Sequence, residues 1–156
     1  MSAPTAADFT ALLAPISRFV ATLDLANTAA AEAALAREFP PAKVDAIAVA
    51  ARAALASGAI CGRGEPGMRF SRVAKPENDA GACSIDAVHM TNAAGPVHTH
   101  TKGEVCLCLA DSGTPTFEDR SATWIVMPPG SRHVPEVKRG SMLILYWWPQ
   151  GAVAWG

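Results

Sequence analysis

The chain has 156 residues, half of them apolar, and a formal net charge of −1 at pH 7. That length supports one domain with its own core, and the scattered Lys and Arg lack the electrostatic footprint of a nucleic-acid or anionic-membrane binder. No apolar run approaches the ~20 residues that span a bilayer, and Met1-Ser2-Ala3-Pro4 lacks the basic start of a secretory signal, so a cytoplasmic protein with small-molecule or subunit partners is expected.

Residues 1–58 are rich in alanine and read as a helical segment that covers a face or edge of the remaining chain or pairs with a second subunit. Thr5 is positioned to cap a helix over 6–23, where Phe9, Leu12, Leu13, Ile16, Val20 and Leu23 fall on one stripe. Pro15 lies inside it and predicts a kink or break, because proline removes a ladder hydrogen bond. A shorter helix comes next over 28–38, ended by Pro40-Pro41. The third carries Val44, Ile47, Ala48, Ala51 and Leu55 on one face and stops at Gly58. These stripes are packing surfaces rather than cofactor sites.

From Ala59 to the end, residues 59–156, Gly and Pro punctuate short runs rich in β-formers. Strands are expected at 59–62, 68–74, 84–90, 97–100, 104–110, 116–117, 123–127, 134–138, 142–148 and 152–155, with linkers at 63–67 and 75–81. Many short strands at this spacing argue for a barrel or jelly roll, since closure removes exposed edges. The four cysteines, Cys61, Cys83, Cys106 and Cys108, have no C-x2-C spacing and read as reduced thiols.

Three of the four histidines lie in two short segments, Gly95-Pro96-Val97-His98-Thr99-His100-Thr101-Lys102-Gly103-Glu104 and Pro128-Pro129-Gly130-Ser131-Arg132-His133. In an extended strand His98 and His100 project to one side, about 7 Å apart. The Thr101-Lys102-Gly103 step lets Glu104 open the next strand and turn back, and the Pro-Pro-Gly turn can aim His133 from another. Three imidazoles and one carboxylate suit a single divalent transition ion such as Zn, Fe, Mn, Ni or Cu, with positions open for water or substrate. Period two puts Cys106 and Cys108 on the face of Glu104 and Val105, Leu107 and Leu109 on the other. There the thiols read first as small buried hydrophobes, second as groups near a metal. His89 reads as a satisfied strand histidine.

The pattern His-x-His-x3-Glu followed by Pro-x-Gly-x2-His resembles the two signature motifs of the cupin superfamily. The resemblance implies a mainly β fold, a cupin-type antiparallel β-barrel (double-stranded β-helix or jelly roll) preceded by the helical segment. It also implies His98, His100, Glu104 and His133 as ligands of the metal. A longer likeness covers the alanine-rich helices, Cys61-Gly62-Arg63-Gly64-Glu65-Pro66-Gly67 and on to Lys75-Pro76, Gly103-Glu104-Val105-Cys106-Leu107, and 124–149. These stretches look like the bacterial 4-hydroxylaminobenzoate lyases.

That second resemblance implies a metal-dependent lyase turning 4-hydroxylaminobenzoate into 3,4-dihydroxybenzoate (protocatechuate) and ammonia in nitroaromatic degradation. The substrate carboxylate would need a cation, for which Arg69, Arg72 and Arg132 are candidates. Arg69 and Arg72 are three apart on one strand, so only one faces inward unless the strand bulges. Arg132 precedes a ligand and should point away from it. Trp124, Tyr146, Trp147 and Trp148 are candidate walls for the ring, alternation sending Tyr146 and Trp148 to one face and Trp147 to the other. Glu104 and Tyr146 are the candidate proton carriers. Two other functions fit the motifs: a cupin dioxygenase acting on an aromatic or thiol substrate, and a non-catalytic metal-binding sensor. A homodimer is the commonest assembly for such a chain.

Overall fold

The computed structural model describes residues 5–76 and 82–156, so residues 77–81 of the expected 75–81 loop lie outside the described residues. Helix α1 (Ala6–Val20) opens on a reciprocal cap. The Asp8 amide donates to Thr5 Oγ1 at 3.1 Å and the Thr5 amide donates to the Asp8 carboxylate at 3.2 Å. The helix continues through Pro15 without the expected break. Pro15 is exposed, while Phe9, Leu13, Ile16 and Val20 on the opposite stripe are buried and hold both halves in place. Helix α2 (Thr28–Glu38) is capped by Asn27, and α3 (Pro41–Ser57) has proline in its first position and Gly58 in the left-handed conformation (φ 81°) at its end.

Among the described residues nine strands come after the helices: β1 (Arg63–Glu65), β2 (Met68–Ala74), β3 (Cys83–Ala94), β4 (His98–His100), β5 (Glu104–Phe117), β6 (Trp124–Met127), β7 (Ser131–His133), β8 (Glu136–Pro149) and β9 (Ala154–Trp155). They form a six-stranded sheet in the order β1-β2-β3-β8-β5-β6 and a three-stranded sheet in the order β7-β4-β9, with every pairing antiparallel. The two antiparallel sheets, preceded by helices, are the mainly β architecture that the cupin resemblance implies.

Several boundaries differ from expectation. Residues 59–62 are not a strand; the stretch expected as a linker, 63–67, instead supplies β1 and the tight turn to β2. The expected pieces 104–110 and 116–117 are one strand, β5, and the expected 142–148 joins 136–138 in β8, while 134–135 of the expected 134–138 lie outside any strand. The glycines read as breaks are bends inside these strands. Gly140 (φ 146°) passes so close to Ser112 that a Cβ would stand 2.0 Å from its carbonyl oxygen. Only glycine lets the two backbones approach there, and the ladder resumes beyond it with shifted register.

The central strands are buried on both faces. On one side Val105, Leu107, Leu109, Leu143, Leu145 and Trp147 pack against Phe9, Leu13, Ile16 and Leu35 of the helices in one continuous cluster. Trp147 is wholly buried, and its indole N–H donates to Ser17 Oγ of α1 at 3.0 Å. On the other side Cys106, Cys108, Met142 and Ile144 fill the barrel with Met90, Phe117, Ile125 and Val137. The alternation expected for β5 is therefore observed, with both thiols facing inward. No described helix is long and apolar enough to cross a membrane.

Candidate metal centre and cavity

Two turns bring the histidines together. Strand β4 pairs with β7 so that His98 lies opposite His133 and His100 opposite Ser131. The His100 carbonyl accepts from both the Gly103 amide at 3.2 Å and the Gly130 amide at 2.7 Å, fastening the turn after β4 to the turn before β7. Gly103 is left-handed (φ 91°), and a Cβ there would meet Leu25 at 2.9 Å. Glycine thus lets the chain reverse under the helical segment and start β5 at Glu104.

The three imidazoles converge through their Nε2 atoms. His98 Nε2 is 3.1 Å from His100 Nε2, which is 2.7 Å from His133 Nε2. One ligand atom from each ring lies within 4.8 Å of the others. A single proton can bridge one such pair but not three nitrogens, whereas a cation among them would satisfy all three lone pairs. The tautomers suit this: His98 Nδ1 is 3.0 Å from the Pro96 carbonyl, which fixes its proton on that side and leaves Nε2 free. The donor set therefore fits a divalent transition ion.

The electrostatics agree. Burial lowers His98, and burial with the two neighbouring imidazoles pulls His100 down to about 3, so both rings are neutral near pH 7. Burial also acts against the charged form of His133, but the carboxylates of Glu118 and Glu104 outweigh it and hold that ring up. Glu104 is 3% exposed. Its Oε2 lies 3.3 Å from His100 Nε2 and accepts the Trp148 indole N–H, while Oε1 accepts the Cys106 thiol at 2.9 Å. Burial raises its pKa against those two donors.

Of these groups His98, His133, Glu104, Cys106 and Trp148 line a cavity of about 190 Å³, with His100 buried behind them and Met68, Phe70, Val88, Phe117, Pro135 and Trp155 among its other walls. An apolar space of ~150 Å³ accepts a benzene ring, so there is room for one. Tyr146 and Trp148 line this cavity and Trp147 faces the helices, as alternation required. Burial, then the nearby Asp86, keeps the Tyr146 phenol well above its ordinary pKa and therefore protonated.

Two of the expected substrate contacts are corrected. Trp124 does not wall the cavity; it pairs with Leu107 on the helix-facing side and packs between Phe39 and Trp147. Arg69 is exposed and alternates away from the lining residues Met68 and Phe70. Arg72 shares their face but is not itself in the lining, and its Nε donates to Asp86 across the strand pair. Arg132 is exposed, its Nε 3.4 Å from the Gly156 carbonyl, and His89 pairs with Asp111 at 2.9 Å, away from the three-histidine cluster.

A model of the family described as 4-hydroxylaminobenzoate lyase (PnbB) matches residues 14–155. The chain belongs to that family. The curated relatives it matches include the 4-hydroxylaminobenzoate lyase of Nocardioides sp. (strain LMS-CY), 30% identical over 97 residues, which are 58% of this chain and 57% of that protein. The 4-hydroxylaminobenzoate lyase of Pseudomonas putida is 29% identical over 105 residues, 58% of this chain and 60% of that one. The matched region thus spans less than two thirds of either relative. Among solved structures, oxalate oxidase in complex with glycolate aligns at a TM-score of 0.42 with 14% identity, covering 57% of this chain and 55% of that one. A cupin-like protein of Thermotoga maritima aligns at 0.39 with 13% identity, covering 62% and 85%.

Two residues of this family member's centre were missed in the sequence. Trp155 pairs with His98 across β9 and β4, with ring centroids 5.3 Å apart, and the alternation of 152–155 could have flagged it. Glu118 has its Oε2 3.1 Å from His133 Nδ1, and no local pattern points to it, because the two are brought together only by the folded barrel.

Proposed function

We propose that this protein is a metal-dependent lyase converting 4-hydroxylaminobenzoate into 3,4-dihydroxybenzoate (protocatechuate) and ammonia, with His98, His100, His133 and Glu104 holding one divalent ion, Zn, Fe, Mn or Ni. The observation that carries the reading is the convergence of three imidazole Nε2 atoms at one end of a ring-sized apolar cavity, in a chain of this lyase family. The reaction is redox-neutral. The N–O bond breaks, a neighbouring ring carbon gains a hydroxyl, and water replaces the nitrogen, which leaves as ammonia.

When bound, such an ion polarises a hydroxylamine oxygen or acidifies water, whose pKa falls to about 7 at zinc sites. The chain's own residues do the rest. Phe70, Val88 and Trp155 supply the apolar walls for the ring, while Phe117 and Trp148 close on the reacting end. Glu104, fixed by Trp148 and Cys106, offers Oε2 beside His100 to complete the donor set and Oε1 to exchange a proton. Tyr146, protonated, donates to the oxygen that takes on charge as the N–O bond breaks. Arg72, fixed by Asp86 on the cavity's face of β2, meets the carboxylate.

The test is an anaerobic incubation of metal-loaded protein with 4-hydroxylaminobenzoate, following ammonia and protocatechuate together. Equal yields without oxygen are expected. Turnover only with O₂ would make the protein an oxygenase, and no product from fully loaded protein would leave a binding module.

A further inference from the structure

We infer that Glu118 is a positioning residue of the metal centre, its carboxylate orienting His133 through Nδ1 so that Nε2 faces the ion. The inference rests on the metal-centre reading of the proposed function. Glu118 comes just after β5, and both it (φ 52°) and Asp119 (φ 59°) are left-handed, a conformation that crowds any residue with a Cβ. The turn is held in that shape from several sides. Phe117 and Arg120 exchange two backbone hydrogen bonds of 3.0 Å, Arg120 forks onto Glu32 of α2, and Glu118 Oε1 accepts the Glu136 amide at 3.2 Å. The strained turn thereby delivers Glu118 Oε2 to 3.1 Å from His133 Nδ1.

That nitrogen needs such a partner. His133 Nδ1 is buried and otherwise has no hydrogen-bond partner among the described residues. At 3.1 Å the carboxylate is in ion-pair contact, although off the line of a hydrogen bond. Once Nε2 is given to an ion, the only proton of neutral His133 sits on Nδ1. An anionic acceptor there fixes the tautomer, stops the ring from turning away and strengthens Nε2 as a donor. His98 obtains the same service from the Pro96 carbonyl, and among the described residues His100 Nδ1 has no partner. Of the three, His133 is the one whose outer nitrogen meets a charge.

The test is titration of Zn²⁺, and of Co²⁺ followed by its visible spectrum, into metal-free wild type, Glu118→Ala, Glu118→Gln and Asp119→Ala. Loss of an outer partner typically costs ~10–100-fold in metal affinity, and that loss is expected for Glu118→Ala with a shifted cobalt spectrum. Glu118→Gln, which keeps an acceptor oxygen, should fall between it and wild type. Asp119→Ala, in the same turn but paired with exposed Lys138, should bind as wild type does. Wild type that takes up no ion overturns the metal reading and this inference with it. Wild-type binding with Glu118→Ala within twofold overturns the role of Glu118 alone, as would an equal loss in Asp119→Ala. Should Glu118→Ala fail to fold, the near-isosteric Glu118→Gln decides, and affinity and spectrum identical to wild type would sink the inference.

Discussion

Strands β5 and β8 present two faces made from alternate residues, both largely buried and chemically unlike. Toward the helices stand Val105, Leu107, Leu145 and Trp147, whose one polar atom is answered by Ser17. Toward the cavity stand Glu104, Cys106 and Trp148, all buried, and the partly buried Tyr146, which bring a carboxylate, a thiol, an indole and a phenol to one wall. The first face gains stability from area removed from water. The second gives some of it up, since burying Glu104 disfavours its charge and pushes its pKa upward. Depth alone therefore does not mark a site; the mark is polar side chains at that depth tied mainly to one another.

The sharpest break of this contrast is His100→Ala. The ring is fully buried and central to the three Nε2 contacts, so turnover and bound metal should both fall further than the ~100-fold typical of outer-shell changes. Metal analysis and the ammonia assay read this, and the fold should persist by circular dichroism. On the opposite face Trp147→Ala should reverse the pattern. Removing that indole opens a cavity and strands the Ser17 hydroxyl, a loss of about 3–5 kcal/mol in urea unfolding, while protein that stays folded still binds one ion per chain. If Trp147→Ala lost metal and His100→Ala lost stability to the same degree, the two faces would not be separable in function.

A smaller effect tests how the helices brace the sheet. Glu32 of α2 accepts Arg120 Nη1 and Nη2 at 2.8 and 3.0 Å and the Val126 amide at 2.9 Å. Burial alone would raise its pKa, but those donors outweigh it and hold the carboxyl below its ordinary value. A depressed folded pKa stabilises the native state fully above the unfolded value, and that stability is lost as pH falls through the folded one. Glu32→Gln should cost about 1–3 kcal/mol at pH 7, and the gap from wild type should shrink in acid. A gap unchanged between pH 7 and pH 3 would show that the carboxylate charge is not what matters.

The same contrast explains what could be read before the fold was known. Helix α2 was legible to the residue, and the metal-site histidines were legible because spacing within β4 and a turn before β7 are local signals. Cys106 came out of period two once Glu104 was taken to face inward, and alternation in β8 put Trp148 on the face of Tyr146 and opposite Trp147. Trp124 did not come out this way, because alternation within β6 cannot say which face is inner. Only the pairing of Glu104 with Met127, and hence of Leu107 with Trp124, turns that indole toward the helices. The fused strands were hidden for a related reason: Gly113 and Gly140 look like breaks singly and become a bend only where the two backbones touch. Glu118 depends on three segments meeting, and no stretch of sequence holds all of them.

The mildest prediction sets two arginines of β2 against each other. Arg72 lies on the face of Met68 and Phe70, one step along from the lining residues and fixed by Asp86, whereas Arg69 points away into solvent. If the substrate carboxylate is met from β2, Arg72→Ala should raise KM roughly tenfold, about 1.4 kcal/mol, with kcat little changed, because that contact is made equally in ground and transition states. Arg69→Ala should leave both constants within twofold. Because Asp86 loses its partner in Arg72→Ala, Asp86→Asn is the needed companion: it frees the guanidinium without removing it. A KM that rises in Arg72→Ala and stays near wild type in Asp86→Asn assigns the effect to the arginine's own contact with substrate. Equal rises in both would assign it to the ion pair and leave the carboxylate to be met from another wall.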